Sequence, residues 1–283
     1  MINVENLQFT YPGGADPAVS GVTFSVGEGE IFGFLGPSGA GKSTTQKVLI
    51  QLLRGYTGEV SVLNKPLNQW GTDYFAHIGV GFELPNHYQK LTALENLAFF
   101  ASFYPGPAIN PMPLLERVGL ADAAKKRVSD FSKGMKMRLN FVRALQHNPK
   151  ILFLDEPTSG LDPGNARVLK DMIREQKEAG KTIFLTTHNM HDADELCDRV
   201  AFMVNGRLAL VDAPKALKLQ RGERKVRIEV LNGQATRQEF ALEGIGENAD
   251  FLALLQHPGL QTIHTLEPNL EDIFIQETGH TLS

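Results

Sequence analysis

Ile31-Phe32-Gly33-Phe34-Leu35-Gly36-Pro37-Ser38-Gly39-Ala40-Gly41-Lys42-Ser43-Thr44 is the stretch that decides the fold. Residues 31–35 are a continuous apolar run, the pattern of a strand buried on both faces. From Gly36 to Ser43 the chain then reads glycine, four residues, Gly-Lys-Ser, which is the phosphate-loop pattern. Glycines let backbone N–H groups turn inward around phosphate oxygens, and the following helix adds a favourable field at its N-terminus. Gly36, Pro37, Ser38, Gly39, Ala40, Gly41 and Thr44 are therefore assigned to nucleotide binding. Lys42 should reach the β- and γ-phosphates, and the Ser43 hydroxyl should ligate Mg²⁺. Beyond Lys42, apolar residues at Val48, Leu49, Leu52 and Leu53 continue as a helix. A glycine-rich turn that merely caps this helix is the bland alternative.

A second strand argues against that alternative. Residues 151–154 are four apolar side chains, followed by Asp155 and Glu156 at the end where open α/β sheets bind ligands. Asp155 is suited to hold Mg²⁺, directly or through water. Glu156 is suited to polarise an attacking water as general base. Residues 182–186 form another buried-type strand, and helical sequence follows each of these strands. Strands alternating with helices imply a parallel sheet covered on both sides.

Outward from this core, residues 4–10 and 19–26 are β-rich and separated by the turn Tyr11-Pro12-Gly13-Gly14, which predicts an antiparallel β-subdomain at the N-terminus. Residues 91–104 and 112–119 look helical, with Pro105, Pro107, Pro111 and Pro113 punctuating the join. After about Pro214 the composition changes. Residues 225–231 alternate as a half-exposed strand, and 251–255 form a short apolar helix. The expected architecture is an α/β P-loop NTPase of RecA-like type, spanning 1–215 with a helical subdomain at about 84–148. A small α+β appendage over 216–283 follows.

At 283 residues with 42% hydrophobic and 21% charged side chains, burial can offset chain entropy and global disorder is excluded. A net charge of -4 gives no global basic signature, so no nucleic-acid partner is expected. The only cysteine is Cys197, which rules out an internal disulfide and fits a reducing cytosol. No apolar run approaches the roughly 20 residues of a spanning helix. The N-terminus has no basic region followed by an apolar stretch. The expectation is a soluble chain, with any membrane path supplied by another polypeptide.

With these motifs in place, residues 1 to about 214 resemble the ABC ATPases. Ser132-Lys133-Gly134-Met135-Lys136 is similar to the family's signature, usually Ser-Gly-Gly-Gln, and Pro157-Thr158-Ser159-Gly160-Leu161-Asp162-Pro163 to its D-loop. His188 resembles the switch histidine that contacts the γ-phosphate, and Tyr11 the aromatic that stacks on adenine. The resemblance implies ATP and Mg²⁺ as cofactors, with Glu156, His188 and Lys42 catalytic. It also implies two ATPase subunits paired head to tail, a homodimer, in which Ser132 and the Gly134 backbone meet the partner's γ-phosphate. Integral-membrane permease subunits would take up the motion, and the chain would sit peripherally on the cytoplasmic face of the membrane.

Two departures stand out. Lys133 replaces glycine; it opposes the helix dipole unless an anionic phosphate lies nearby, or it points to solvent. Glu83, in Ile78-Gly79-Val80-Gly81-Phe82-Glu83-Leu84-Pro85, stands where the family has its Q-loop glutamine and could still ligate Mg²⁺. A register error would make Glu83 a plain loop acid. His188 and His191 lack a third ligand, so zinc is disfavoured. Phe99, Phe100, Phe103 and Tyr104 read as packing of the helical subdomain, or as lining for a groove that receives the membrane partner. Cys197 reads as packing. Residues 268–275, Pro-Asn-Leu-Glu-Asp-Ile-Phe-Ile, are similar to the tails of type-2 bacterial multidrug and antibiotic exporter ATPases, which makes export the expected direction. A soluble ABC ATPase acting on ribosomes or DNA is the alternative, disfavoured by a single cassette and the lack of sustained heptads.

Overall fold

The computed structural model describes residues 1–106, 109–221, 224–232, 234–266 and 268–281, so Pro107 lies outside the described residues. The described chain divides into two compact units, Met1–Val211 and Asp212–Thr281.

In the first unit, β1 (Ile2–Phe9) and β2 (Val19–Val26) pair antiparallel, with Ile2 opposite Val26 and Val4 opposite Phe24. These apolar residues are buried on one face, as the two-residue period of a strand requires. β3 (Ile31–Leu35) is buried at every position, and the glycine loop leads from it into α1 (Lys42–Leu49). α1 is shorter than its apolar pattern suggests. Gln51 takes φ 59 and turns the chain, leaving Leu52 58% exposed rather than on the helix's buried face. β4 (Thr57–Val62) and β5 (Lys65–Pro66) complete a sheet of order β2-β1-β4-β5.

β6 (Ile78–Gly81) belongs to the central sheet and precedes the helical insertion. There α2 (Ala93–Ala101) starts two residues after the apolar pattern does, because Thr92 and Glu95 form a reciprocal capping box of 3.2 and 2.7 Å hydrogen bonds. α3 (Met112–Arg117) carries Pro113 in its first turn, where a missing N–H costs nothing. α4 (Lys133–Leu145), capped by Ser132, lies directly on β6: a Cβ on Gly79 would stand 2.1 Å from the Ala144 carbonyl oxygen.

The chain then alternates through β7 (Ile151–Asp155), α5 (Pro163–Glu178), β8 (Thr182–Thr187), α6 (Met190–Leu196), β9 (Arg199–Val204) and β10 (Arg207–Asp212). The six-stranded sheet has the order β10-β9-β3-β8-β7-β6, and β9, β3, β8, β7 and β6 run parallel. β3, β7 and β8 are buried along their whole length, which is why each carries a continuous apolar stretch. Phe24 of β2 packs on Phe32, Phe34 and Phe184 with ring centroids 4.8–6.0 Å apart, so the two sheets share one core. Each such buried ring contributes about 1.5–3 kcal/mol. The shared core fixes the sheet ends that carry the site.

The second unit comprises α7 (Pro214–Arg221), β11 (Lys225–Asn232), β12 (Gln234–Ala241), α8 (Ala249–Leu255), β13 (Leu260–Leu266) and α9 (Leu270–Thr278). Its antiparallel sheet has the order β12-β11-β13. Val226, Ile228 and Val230 bury one face of β11 against Phe251. A division after residue 215 falls inside α7, which packs on α9, and the compact unit begins a few residues earlier at Asp212. Among the described residues no helix is long and apolar enough to cross a membrane.

Candidate active site

The loop between β3 and α1 is built on the left-handed freedom of glycine. Gly36 takes φ 156, and a Cβ there would lie 2.1 Å from the Met203 carbonyl oxygen of β9. The loop is anchored from outside as well, since the Gly206 N–H donates to the Ala40 carbonyl at 2.9 Å. Within it the Lys42 ammonium donates to the carbonyls of Gly36 at 2.6 Å and Pro37 at 2.9 Å. Burial lowers the Lys42 pKa from its ordinary value, while the charges of Glu156, Asp155 and Glu83 act to raise it. Lys42 therefore lies in the field of all three acids that the sequence assigned to metal or base chemistry. Ser38 and Gly39 form the exposed tip of the loop.

Asp155 and Glu156 emerge at the end of β7, beside β8 and one strand removed from β3. Ser43 Oγ donates to Asp155 Oδ1 at 3.2 Å, and the Thr186 hydroxyl of β8 donates to the same oxygen. A hydroxyl and a carboxylate this close, beside the glycine loop, form an oxygen donor set that suits a hard divalent cation. The residues thus fit Mg²⁺ with a nucleotide phosphate.

Glu156 takes φ 48, a left-handed conformation uncommon outside glycine, and its N–H donates to the Thr186 carbonyl at 3.0 Å. Its carboxylate, 7% exposed, is held from three sides. Oε1 meets the His188 backbone N–H at 2.9 Å and His188 Nδ1 at 2.8 Å, and Oε2 accepts from the Thr187 hydroxyl at 3.1 Å. Since Nδ1 faces Glu156, Nε2 of the exposed His188 ring remains for another partner. Such an arrangement orients a carboxylate toward a water and a histidine toward an anion.

Tyr11 follows β1 and brings its hydroxyl within 3.1 Å of Thr44 Oγ1 in the first turn of α1, with its ring edge-on to Phe9 at 5.0 Å. The ring is 40% exposed beside the loop, available for stacking. Glu83 is exposed in the loop after β6. Tyr11, the glycine loop, Thr44, Asp155, Glu156 and His188 therefore converge. Ser132 and Gly134 stand instead on the first turn of α4. Ser132 Oγ accepts from the Met135 N–H at 3.2 Å, and Gly134 faces Leu161 and Gly160. Lys133 is exposed but lies along the D-loop: a Cβ on Gly160 would meet its Cε at 3.2 Å.

Several site contributors escaped the sequence reading. Thr186 and Thr187 hold the two carboxylates, and their only signal was the polar pair that ends an otherwise apolar strand before His188. Thr158 ties the D-loop to α6 by donating to Asp192 at 2.6 Å. His191 lies near Asp192 and Glu195, but Lys170 and Arg174 already neutralise those carboxylates. Phe99 and Phe103, expected either to pack the helical subdomain or to line a groove, are 38% and 65% exposed, whereas Phe100 lies under the Arg143 guanidinium at 4.5 Å. Cys197 is buried, and burial pushes its thiol pKa up.

Comparison with known proteins extends this picture along the whole chain. Residues 19–159 match the family described as ABC transporter, and residues 224–267 match the fluoroquinolone efflux ABC transporter C-terminal domain. A fluoroquinolones export ATP-binding protein of Mycobacterium tuberculosis is 54% identical over 285 residues, covering 100% of this chain and 95% of the relative. The Nod factor export ATP-binding protein I of Rhizobium meliloti is 35% identical, covering 99% and 89%. Among solved structures, an ATP-binding subunit of an ABC transporter superposes with a TM-score of 0.71 at 32% identity, covering 78% of this chain and 92% of that one. A dimeric bacterial ABC transporter cassette gives 0.69 at 28% identity, covering 75% and 98%. Likeness of this strength, carried across both compact units, means that the chain belongs to the ATP-binding subunits of ABC transporters and serves as their ATPase.

Proposed function

We propose that this subunit powers export of fluoroquinolone-type antibiotics through separate membrane subunits, working as a homodimer on the cytoplasmic face of the membrane. The observation that carries the export reading is the match of residues 224–267 to the fluoroquinolone efflux C-terminal domain, joined to 54% identity with an export subunit. The dimer reading is supported by the dimeric cassette that this chain resembles and by the exposed Ser132 on the first turn of α4, open to a partner's nucleotide.

In this reading Tyr11 stacks on adenine, and the amides from Gly36 to Thr44, with Lys42, hold the phosphates. Ser43, Asp155 and Glu83 would hold Mg²⁺, which would supply charge neutralisation for the phosphates. Glu156 accepts the proton of the attacking water at its carboxylate, and Thr187 and His188 fix its orientation. His188 offers Nε2 to the γ-phosphate, and Ser132 with the Gly134 amide closes on it from the partner. The ATPase domain ends before α7, and the second unit is an accessory domain. An apolar groove of about 600 Å³ between β6, Tyr88, Phe100 and Arg143 is the surface for the membrane partner.

Affinity purification of the tagged chain from gently solubilised membranes tests this reading. Stoichiometric recovery of a multi-span membrane protein, and raised fluoroquinolone accumulation when the gene is deleted, are the expected results. Recovery only from the soluble fraction with ribosomes or DNA would overturn the transport role and leave the ATPase.

A further inference from the structure

β6 ends at Gly81, paired opposite Leu154 of β7, so the chain leaves the sheet beside the Asp155 carboxylate. Residues 82–86 then run as an irregular loop that carries Glu83. Without a strand or helix of its own, this loop takes its position from whatever grips it, and α4 does so at two points and again at His87 just beyond it. Asn140, 2% exposed, donates from Nδ2 to the Phe82 carbonyl at 2.8 Å. Arg143 donates to the Asn86 carbonyl at 3.1 Å, and the His87 ring meets the Lys136 carbonyl at 3.0 Å.

Asn140 is the member of this set nearest the metal-binding acids. The carbonyl it engages belongs to the residue immediately before Glu83, and Asn140, Phe82 and Asp155 line one small void together with Gly81 and Pro157. Its other end is engaged too: Oδ1 accepts from Arg143 at 2.6 Å, and the Arg143 guanidinium is itself packed over the Phe100 ring. A buried amide is costly unless both ends are bonded, and a side chain needed only to fill space would be apolar. The α4 backbone cannot retreat from β6 without losing the close approach at Gly79, so the donor is presented from a fixed platform.

We propose that Asn140 is a positioning residue for the metal site: its hydrogen bond to the Phe82 carbonyl, backed by Arg143, sets where the Glu83 carboxylate stands relative to Ser43 and Asp155. This rests on the reading of Glu83 as a metal ligand. Asn140→Asp keeps the size of the side chain and the bond from Arg143, removes the donor to Phe82 and adds a negative charge; Asn140→Ser, measured beside it, removes the donor without adding the charge.

The test titrates Mn²⁺ into the full-length protein loaded with the non-hydrolysable analogue AMP-PNP and reads free Mn²⁺ by electron paramagnetic resonance. Asn140→Asp should weaken Mn²⁺ binding about tenfold, the scale of an outer-shell partner. AMP-PNP affinity in EDTA should stay unchanged. Glu83→Ala should weaken Mn²⁺ binding by itself, and on that background Asn140→Asp should add less than about twofold. Normal Mn²⁺ binding by folded Asn140→Asp, or a full additive loss on the Glu83→Ala background, overturns the positioning role while Glu83 keeps its own. Normal Mn²⁺ binding by Glu83→Ala overturns both. Circular dichroism checks folding, and Asn140→Ser alone decides if the aspartate variant fails to fold.

Discussion

Glu156 combines a left-handed backbone with a carboxylate held by Thr187 and twice by His188, so its position is over-determined and its charge is what a substitution removes. Glu156→Gln keeps the shape, but an amide cannot take a water proton. Turnover should fall roughly 10²- to 10⁴-fold. An ATP-bound dimer should accumulate, visible by size-exclusion chromatography with ATP; undiminished steady-state turnover would remove the general-base role. On the proposed role of Lys42 as the charge that receives phosphate, Lys42→Ala should abolish ATP binding in calorimetry, since the buried ammonium is the cation in the field of Glu156, Asp155 and Glu83. That Lys42, Ser43, Asp155 and Glu156 come together was legible in the sequence because strand ends and motif spacing fix their place, whereas His188 was found through the family resemblance. Thr186, Thr187 and Asn140 were not. Each acts on a residue more than 30 positions away, across a strand pairing or a helix contact that no local pattern encodes.

β6 and α4 form the element pair on which the site's outer wall depends. Their approach is set at Gly79, where Gly79→Ala would drive a methyl to 2.1 Å from the Ala144 carbonyl oxygen. Overpacking of this kind costs about 1–3 kcal/mol, to be read as a lowered urea midpoint. At the same interface His87 is 7% exposed, with Nε2 on the Lys136 carbonyl and Nδ1 without a hydrogen-bond partner among the described residues. Burial lowers its pKa to about 4; the Lys136 carbonyl opposes this, while the Arg143 and Lys136 cations reinforce it. The unfolded imidazole titrates near 6.5, so between these values the unfolded state binds more protons. His87 therefore favours the fold fully above about pH 6.5 and loses about 3 kcal/mol of that contribution as pH falls to 4. Urea unfolding should show His87→Gln losing less stability than the parent between pH 7 and 5, and parallel losses would exclude His87 as the source. β6 and α4 were not read as elements in the sequence, whereas helices α1 and α2 were readable from apolar spacing. Their ends were not, because Thr92 and Gln51 set them through a cap and a left-handed turn.

At the scale of the molecule the P-loop core was legible and the C-terminal unit only partly. Buried parallel strands advertise themselves as apolar runs, whereas β12 is a mostly polar strand that pairs with β11 through its backbone. Among the described residues each unit holds a core cluster of its own. One runs from Ile2 to Met203 around the stacked phenylalanines, and the other gathers Val226, Ile228, Val230 and Phe251. Every residue assigned to nucleotide, metal or general base lies in Met1–Val211. A chain ending after Ala213, just before α7, removes the second core whole and should leave the first intact. The truncated protein should melt cooperatively and bind ATP within about threefold of the parent, a difference of well under 1 kcal/mol. Loss of ATP binding in a folded truncation would mean that the second unit completes the nucleotide site. Retained binding with lost drug efflux in cells would instead assign that unit to the coupling between ATP hydrolysis and export.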